Sequence, residues 1–453
     1  MNAATFPTHC DAAECDSWHR MQRRQWLAST TMSLGGIGLT AIAESLARAS
    51  ESPREDSRGK KSKKARSMIM LWLQGGPSQL DTFDPHAGTK IGGDVRSIPT
   101  SIPNIEIADT LPRVAEQLHM TTLIRSLVSK EGDHERASYQ LKTGWRPDPT
   151  IVHPSIGAVL CHQTSDNLEI PRHVSILSGQ WPARGGYMGG QYDAFQIGDP
   201  KNRLPNLRSQ TSEDRTAMRI DGLKNVVERE FARGRFENLD ACKTQHETAT
   251  AKALEMMNSQ QVSAFDVSLE SKSMQDGFGD TPFGRGCLSA VRLIERGVRC
   301  VEVELNGWDS HANNHETQSK RCAVLDVALS ALIHELKARE LLDSTLVICG
   351  GEFGRTPTIN VTAGRDHWQH GFSMLLAGGP LRRGYVHGAT ASKPTDNPSK
   401  RLEDVASPVT VQDLHATLLD CLAIDFSKEL ITPIQRPLLL SQGSVVRELL
   451  SDL

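Results

Sequence analysis

The sequence predicts an α/β protein with a mostly parallel central sheet, helices on both faces and an inserted cap region. Three observations predict it. Continuous apolar runs such as SMIMLWL (67–73) stop at glycine-bearing loops, the pattern of strands buried on both faces. Two helix–strand units follow one another between residues 283 and 349. Asp, Glu and His residues gather where the predicted strands end, the edge at which open α/β sheets bind ligands.

With 453 residues, 38% hydrophobic and 23% charged, the chain can bury a large core. A formal net charge of -3 excludes a generally basic, nucleic-acid-coating protein. No apolar run reaches the roughly 20 residues of a membrane-spanning helix, so no integral span is expected in the mature chain.

Residues 1–49 read as a twin-arginine-like export signal. Arg20, Arg23 and Arg24 precede a weakly apolar stretch (26–43), and Ala47 and Ala49 follow at A-x-A spacing. Gln22 and Trp26 depart from the usual Ser/Thr and Phe of such signals. Cleavage after Ala49 would leave 453 − 49 = 404 residues, and the expected partner is the twin-arginine machinery, with a periplasmic or extracellular destination. A charged linker is expected over 50–66 and the folded domain over 67–453. Seven cysteines follow the leader without a C-x-x-C pair, and Cys287, Cys300, Cys322 and Cys349 sit in apolar segments, which predicts buried thiols and no disulfide framework.

Within the domain, strands are expected over 67–73, 121–127, 172–177, 298–305, 344–349 and 373–377. Helices are expected over 111–118, 283–296, 316–341 and 411–423. The polar stretch 198–282, with helical patches around 212–233 and 240–259, reads as an insertion or cap. The glycine-rich 185–190 reads equally as a mobile lid or a tight surface turn.

The strand ends carry the chemistry. The first leads into Gln74-Gly75-Gly76-Pro77, the fourth into Trp308-Asp309-Ser310-His311 and the fifth into Gly350-Gly351-Glu352; a further loop carries Arg365-Asp366-His367. Asp309 and His311, two apart in an extended loop, point to one side. Carboxylates and imidazoles meeting in one crevice suit zinc, manganese or another divalent ion, while a structural hydrogen-bond cluster is the alternative. Gly75-Gly76 is not followed by G-x-G-x-x-G, so a dinucleotide site is not expected.

The segments LWLQGGPSQLDTFDP (71–85), 279–314 with its NGWDSHANN, GGEFGRTPTIN (350–360), GRDHWQHGFSMLLAGG (364–379) and GYVHGATA (384–391) resemble the DUF1501 family. This is a family of exported bacterial proteins, abundant in planctomycetes, related to sulfatases and alkaline phosphatases. The resemblance implies an alkaline phosphatase-like sandwich that binds one or two divalent metals, zinc first, with manganese, magnesium or calcium as alternatives. Carried residue by residue, it implies metal ligands Asp309, His311, Glu352, Asp366 and His367. Lys142-Thr143-Gly144 looks like the sulfatase turn that follows the nucleophile, and counting back implies His134 or Ser138 as the attacking group, or neither. Arg355 is expected at the reacting centre, with Arg136 and Arg365 binding the anionic substrate.

Three departures stand out: Gln74 where the superfamily commonly has Asp, a two-residue step from Asp309 to His311 where four is common, and Phe353 after Glu352 where His is common. The function implied is an exported metal-dependent hydrolase of phosphate or sulfate esters, on a small-molecule or polysaccharide-derived substrate. The alternative is a non-catalytic exported ligand-binding or assembly protein on the same fold. The oligomeric state cannot be read from this sequence.

Overall fold

β1 (Ser67–Trp72) is buried along its whole length because its faces meet two different apolar layers. Ile69, Leu71 and Leu73 pack into one, Met68, Met70 and Trp72 into the other. The computed structural model describes residues 64–165, 167–207, 209, 211–232, 245–395 and 397–451. The predicted leader and the linker through residue 63 lie outside the described residues. Lys64 and Ala65, assigned with the linker by sequence, are packed: the Lys64 ammonium pairs with Asp420 at 2.8 Å, and Ala65 N–H donates to Cys421 O.

In chain order, α1 (Pro112–Gln117), β2 (Thr121–Val128), α2 (His134–Thr143), α3 (Ile156–Gln163), β3 (His173–Ile176) and β4 (Phe195–Ile197) follow β1. After the polar segment come α4 (Pro282–Glu295), β5 (Cys300–Glu304), α5 (Asn314–Ala338), β6 (Thr345–Gly350), β7 (His370–Ala377), β8 (Tyr385–His387), β9 (Val409–Thr410) and α6 (Val411–Cys421). The sheet runs β8-β2-β7-β6-β1-β5-β3-β4, with β9 also beside β2. All pairings are parallel except those of β7, which is antiparallel to both β2 and β6. β7 therefore begins at the edge where its neighbours end.

The layer with Ile69 is completed by α1, α4 and α5, and the layer with Met68 by α3 and α6. Coverage of both faces explains why the strands read as continuous apolar runs rather than alternating ones. α4 starts where Thr281 Oγ1 accepts from Gly284 N–H with Pro282 at the first helical position, and ends at Gly297, whose φ is 96°. α2 and α3, absent from the predicted elements, are capped by the Asp133 and Ser155 side chains. In the 198–282 segment, a helix Glu213–Gly222 has no buried residue, whereas Phe265, Val267 and Phe278 join the α4 layer. Residues 185–192 form two tight turns, Gly185 N–H being held by Asp193. Cys287, Cys300, Cys322 and Cys349 are buried thiols outside any disulfide. Among the described residues no helix is long and apolar enough to cross a membrane.

His415 on α6 is buried, with Nε2 bonded to Leu141 O at 2.8 Å, and burial pushes its pKa from 6.5 down to about 4. The unfolded chain takes up this proton first, so its contribution to stability is present above pH 6.5 and is lost as pH falls toward 4. The loss is on the order of 3 kcal/mol. His415→Gln keeps a donor for Leu141 O without a titrating ring. Urea unfolding at about pH 7 and about pH 4 should show a smaller acid loss in the variant; equal losses would exclude His415 as a source.

Candidate metal centre

Three loops and one helix end meet at the edge where the parallel strands finish. After β1, Gly75 adopts φ 115°, and a Cβ there would lie 2.5 Å from Asp309 N. Only glycine lets the two loops touch. After β5, Trp308 and Ser310 turn inward, where Gln318 Nε2 donates to Trp308 O and to Ser310 Oγ, both at 2.9 Å. Asp309 and His311 consequently turn outward together, as their spacing predicts. The β6–β7 loop supplies Glu352 as it leaves the sheet and His367 as it returns, its two-residue strands Gly354–Arg355 and His367–Trp368 pairing with each other. His134 comes from the first turn of α2, whose N-cap is Asp133.

Three imidazoles converge on Asp309. His311 Nε2 lies 3.1 Å from Asp309 Oδ1, His134 Nε2 3.4 Å from Oδ2 and His367 Nε2 3.7 Å from Oδ1. Each ring is fixed from behind through Nδ1: His134 by Glu352 Oε1 at 2.7 Å, His311 by Asp366 Oδ1 at 2.7 Å, and His367 by Gly132 O at 2.8 Å. A carbonyl or carboxylate oxygen only accepts, so each Nδ1 carries the hydrogen and each ring, when neutral, presents an Nε2 lone pair. His134 Nε2 is buried without a hydrogen-bond partner, and His311 and His367 bring their Nε2 atoms to 3.1 Å of each other. In neutral rings such lone pairs, facing one another and a carboxylate, would repel unless a cation lay among them, whereas a protonated ring would pair with Asp309. The chemistry of this donor set fits a divalent metal, and the 3.1 Å separation matches the edge of about 3.3 Å in a tetrahedral zinc site. The backing carboxylates and carbonyl are the usual orienting partners of metal-binding imidazoles. One ligand atom each from His134, Asp309 and His367 fits within 4.8 Å of the others.

Several sequence-predicted roles change. His134, expected as a nucleophile, sits among the candidate ligands. Glu352 and Asp366, expected as ligands, hold imidazoles through Oε1 and Oδ1, while Glu352 Oε2 is buried without a partner. Glu352 is fully buried, and its Oε1 also accepts from Gly75 N–H at 2.9 Å and Gln74 Nε2 at 3.2 Å. Gln74, whose Oε1 takes the Trp72 indole N–H at 2.6 Å, thus serves as a neutral donor to Glu352 where an Asp would repel it.

Arg355 does not reach out to a substrate: it is fully buried and donates to the carbonyls of Gly75, Gly76 and Arg365 and to Asp309 Oδ1 at 2.7 Å. Arg365 is likewise buried, on the carbonyls of Ile91, Thr356 and Pro357. Arg136 leaves the cluster to pair with Glu131 at 2.8 Å. Ser138 is fully buried one turn into α2 and cannot meet a substrate as placed. Trp181, whose ring stacks on His134 at 6.3 Å, and Gly132 have no signal in the sequence.

Electrostatics follow the geometry. Burial lowers the His134 pKa, but its bond to Glu352 and that carboxylate's charge outweigh burial and raise it. Burial lowers His367, and for Asp309 the Arg355 guanidinium overcomes burial and holds the carboxyl below its usual range.

Fold and site together define a three-layer α/β protein with a histidine–aspartate cluster at its ligand edge. The chain belongs to the DUF1501 family, described as a protein of unknown function, whose model matches residues 65–450. No curated protein matches it. Similar solved structures include Ps i-CgsB, with 11% identity and TM-score 0.41 over 84% of this chain and 75% of that one. The PsFucS1 sulfatase from Pseudoalteromonas sp. has 13% identity and TM-score 0.38 over 80% and 68%. A magnesium-bound mutant of TAB5 alkaline phosphatase has 12% identity and TM-score 0.37 over 80% and 99%.

Replacing Gly75 by Ala drives a Cβ into the Asp309 backbone at a φ that L residues rarely adopt. The variant should lose at least about 2 kcal/mol in urea unfolding; wild-type stability would show that the loop contact does not matter.

Proposed function

We propose that this protein is an exported metal-dependent hydrolase of phosphate or sulfate esters, with His134, Asp309, His311 and His367 holding the metal. The observation that carries the metal is the meeting of three backed Nε2 lone pairs on one carboxylate. Zinc suits three nitrogens and one oxygen best. Such an ion would neutralise ester charge and acidify an attacking group. The leader's order of arginines, apolar stretch and A-x-A supports export by the twin-arginine route to the periplasm or beyond.

The chain's own groups do the rest. Glu352, Asp366 and Gly132 O fix the three rings, and Arg355 fixes Asp309, so the site needs little rearrangement to receive charge. Phe353 lies 5.0 Å from the His134 ring and 4.4 Å from that of His367, giving these imidazoles an apolar neighbour on one side. α2 directs its N-terminus, the positive end of its dipole, to the same place. The PsFucS1 sulfatase and TAB5 phosphatase likenesses are consistent with ester chemistry, and a related structure, Ps i-CgsB with a neocarrahexaose, with a polysaccharide-derived substrate.

A second function, metal-dependent ligand binding without turnover, is favoured by the burial of Ser138, the hydroxyl that the sequence offered as a nucleophile. Purified protein should carry about one metal ion per chain by elemental analysis and hydrolyse at least one of an aryl phosphate, a phosphodiester or an aryl sulfate. His311→Ala and His367→Ala should lose metal and turnover together, and Glu352→Gln should weaken metal affinity by roughly 10–100-fold. Metal without turnover would establish the binding function; no metal and no turnover would exclude both.

A further inference from the structure

A cleft of about 660 Å³ has none of the cluster residues in its wall. It opens at the ends of β3, β4 and β5 and is walled by apolar Leu177, Ile197 and Phe283 and by the polar side chains of Gln196, Glu304 and Arg321. Its size suits an organic ligand.

Glu304 brings a buried carboxyl to this wall. It is 2% exposed; Oε2 accepts from Gly179 N–H at 2.8 Å, while Oε1 has no partner. Burial, with the nearby charges of Glu302 and Glu352, raises its pKa to about 7 against the opposing pull of Lys142 and Gly179 N–H. A buried carboxyl with an orphaned oxygen is costly unless something donates to it. The ion pair of the neighbouring Lys142 is already made with Glu302, at 2.6 Å.

The surroundings select what that donor is. A cationic ligand would meet the Arg321 guanidinium and the positive end of α4. An anion would meet Glu304 and find few donors at that helix end, where Pro282 has no N–H and Gly284 N–H is taken by Thr281 Oγ1. A neutral hydroxyl donates to the carboxylate and accepts from the carboxylic acid, so it satisfies Glu304 in either state. Side-chain amide and guanidinium donors beside an apolar wall suit several hydroxyls on one carbon frame.

We propose that this cleft binds a neutral, polyhydroxylated ligand of saccharide type, with Glu304 accepting from a ligand hydroxyl. The loop after β3 borders both places: Leu177 and Ser178 wall the cleft, and Trp181 stacks on His134. The cleft is thereby positioned for the uncharged part of a substrate, an extension that rests on the ester-hydrolase function, whereas binding itself does not.

Saturation-transfer NMR and calorimetry with lactose, cellobiose and xylobiose at millimolar concentration test it on the full chain, with glucosamine and inorganic phosphate as charged probes. At least one disaccharide should bind. In Glu304→Gln the amide oxygen keeps Gly179 N–H and turns an NH₂ where the acceptor was, so affinity should fall by roughly tenfold or more. Gly198 lies on the cleft wall, and a Cβ added there would meet no atom within 4 Å, so Gly198→Trp should fill the cleft without disturbing the fold and abolish binding. No disaccharide binding, binding unchanged in both variants, or binding of only glucosamine or phosphate at this cleft would overturn the proposal. Sugar binding without ester turnover would leave it standing and remove only the extension.

Discussion

One buried carboxylate oxygen, Glu352 Oε1, ties the ligand edge together. It receives the Gly75 N–H from the first loop, the Gln74 amide beside it and the His134 imidazole from α2, while its own chain has just left β6. A carboxylate with no exposure would cost several kcal/mol if these donors were absent. Meeting them forces the β1 loop, the β6 loop and the start of α2 into one place. Arg355, three residues on, extends the same clamp to Asp309 and so to the β5 loop. The cluster follows from this clamp rather than from any single loop's preference.

The direction of β7 completes it. In a purely parallel sheet the chain leaving β6 would cross to the opposite edge before the next strand. Because β7 is antiparallel to β6 and β2, the connecting loop begins and ends at the ligand edge, and Glu352 and His367 face the same crevice. The register shifts in the β7–β2 pairing fall between His370 and Met374, beside this loop, where an irregular ladder lets the strand bend toward it.

The central strands were legible because burial on both faces leaves continuous apolar runs, α4 because Thr281, Pro282 and Gly297 mark its ends, and α6 because Thr410 caps its start. α2 was not legible: its outward turn, His134-Glu135-Arg136, is as polar as a loop, and its buried face has only Ala137 and Leu141 as apolar members. Asp309, His311 and His367 were legible as a chemical group, since strand ends in such sheets converge. Which carboxylate touches the centre and which stands behind an imidazole was not, because both serve the same chemistry one shell apart. The arginines failed for a related reason: Arg355 and Arg365 look like anion-binding residues until their donors are found spent on backbone carbonyls.

That last failure has a physical consequence for the site. Arg355 and Arg365 are buried, and Arg136 turns to Glu131, which also pairs with Arg146 at 2.6 Å, so the three arginines that sequence singled out are engaged away from the imidazoles. Under the proposed ester-hydrolase function, attraction for an anion would come from the centre itself: a cation held among the Nε2 atoms and Asp309, and the dipole of α2. Asp309 already shares its charge with Arg355, so under that proposal a divalent ion held there would keep more of its positive field for a ligand than beside an unpaired carboxylate. Buried Arg355 would then serve an anion indirectly, by spending its charge on Asp309.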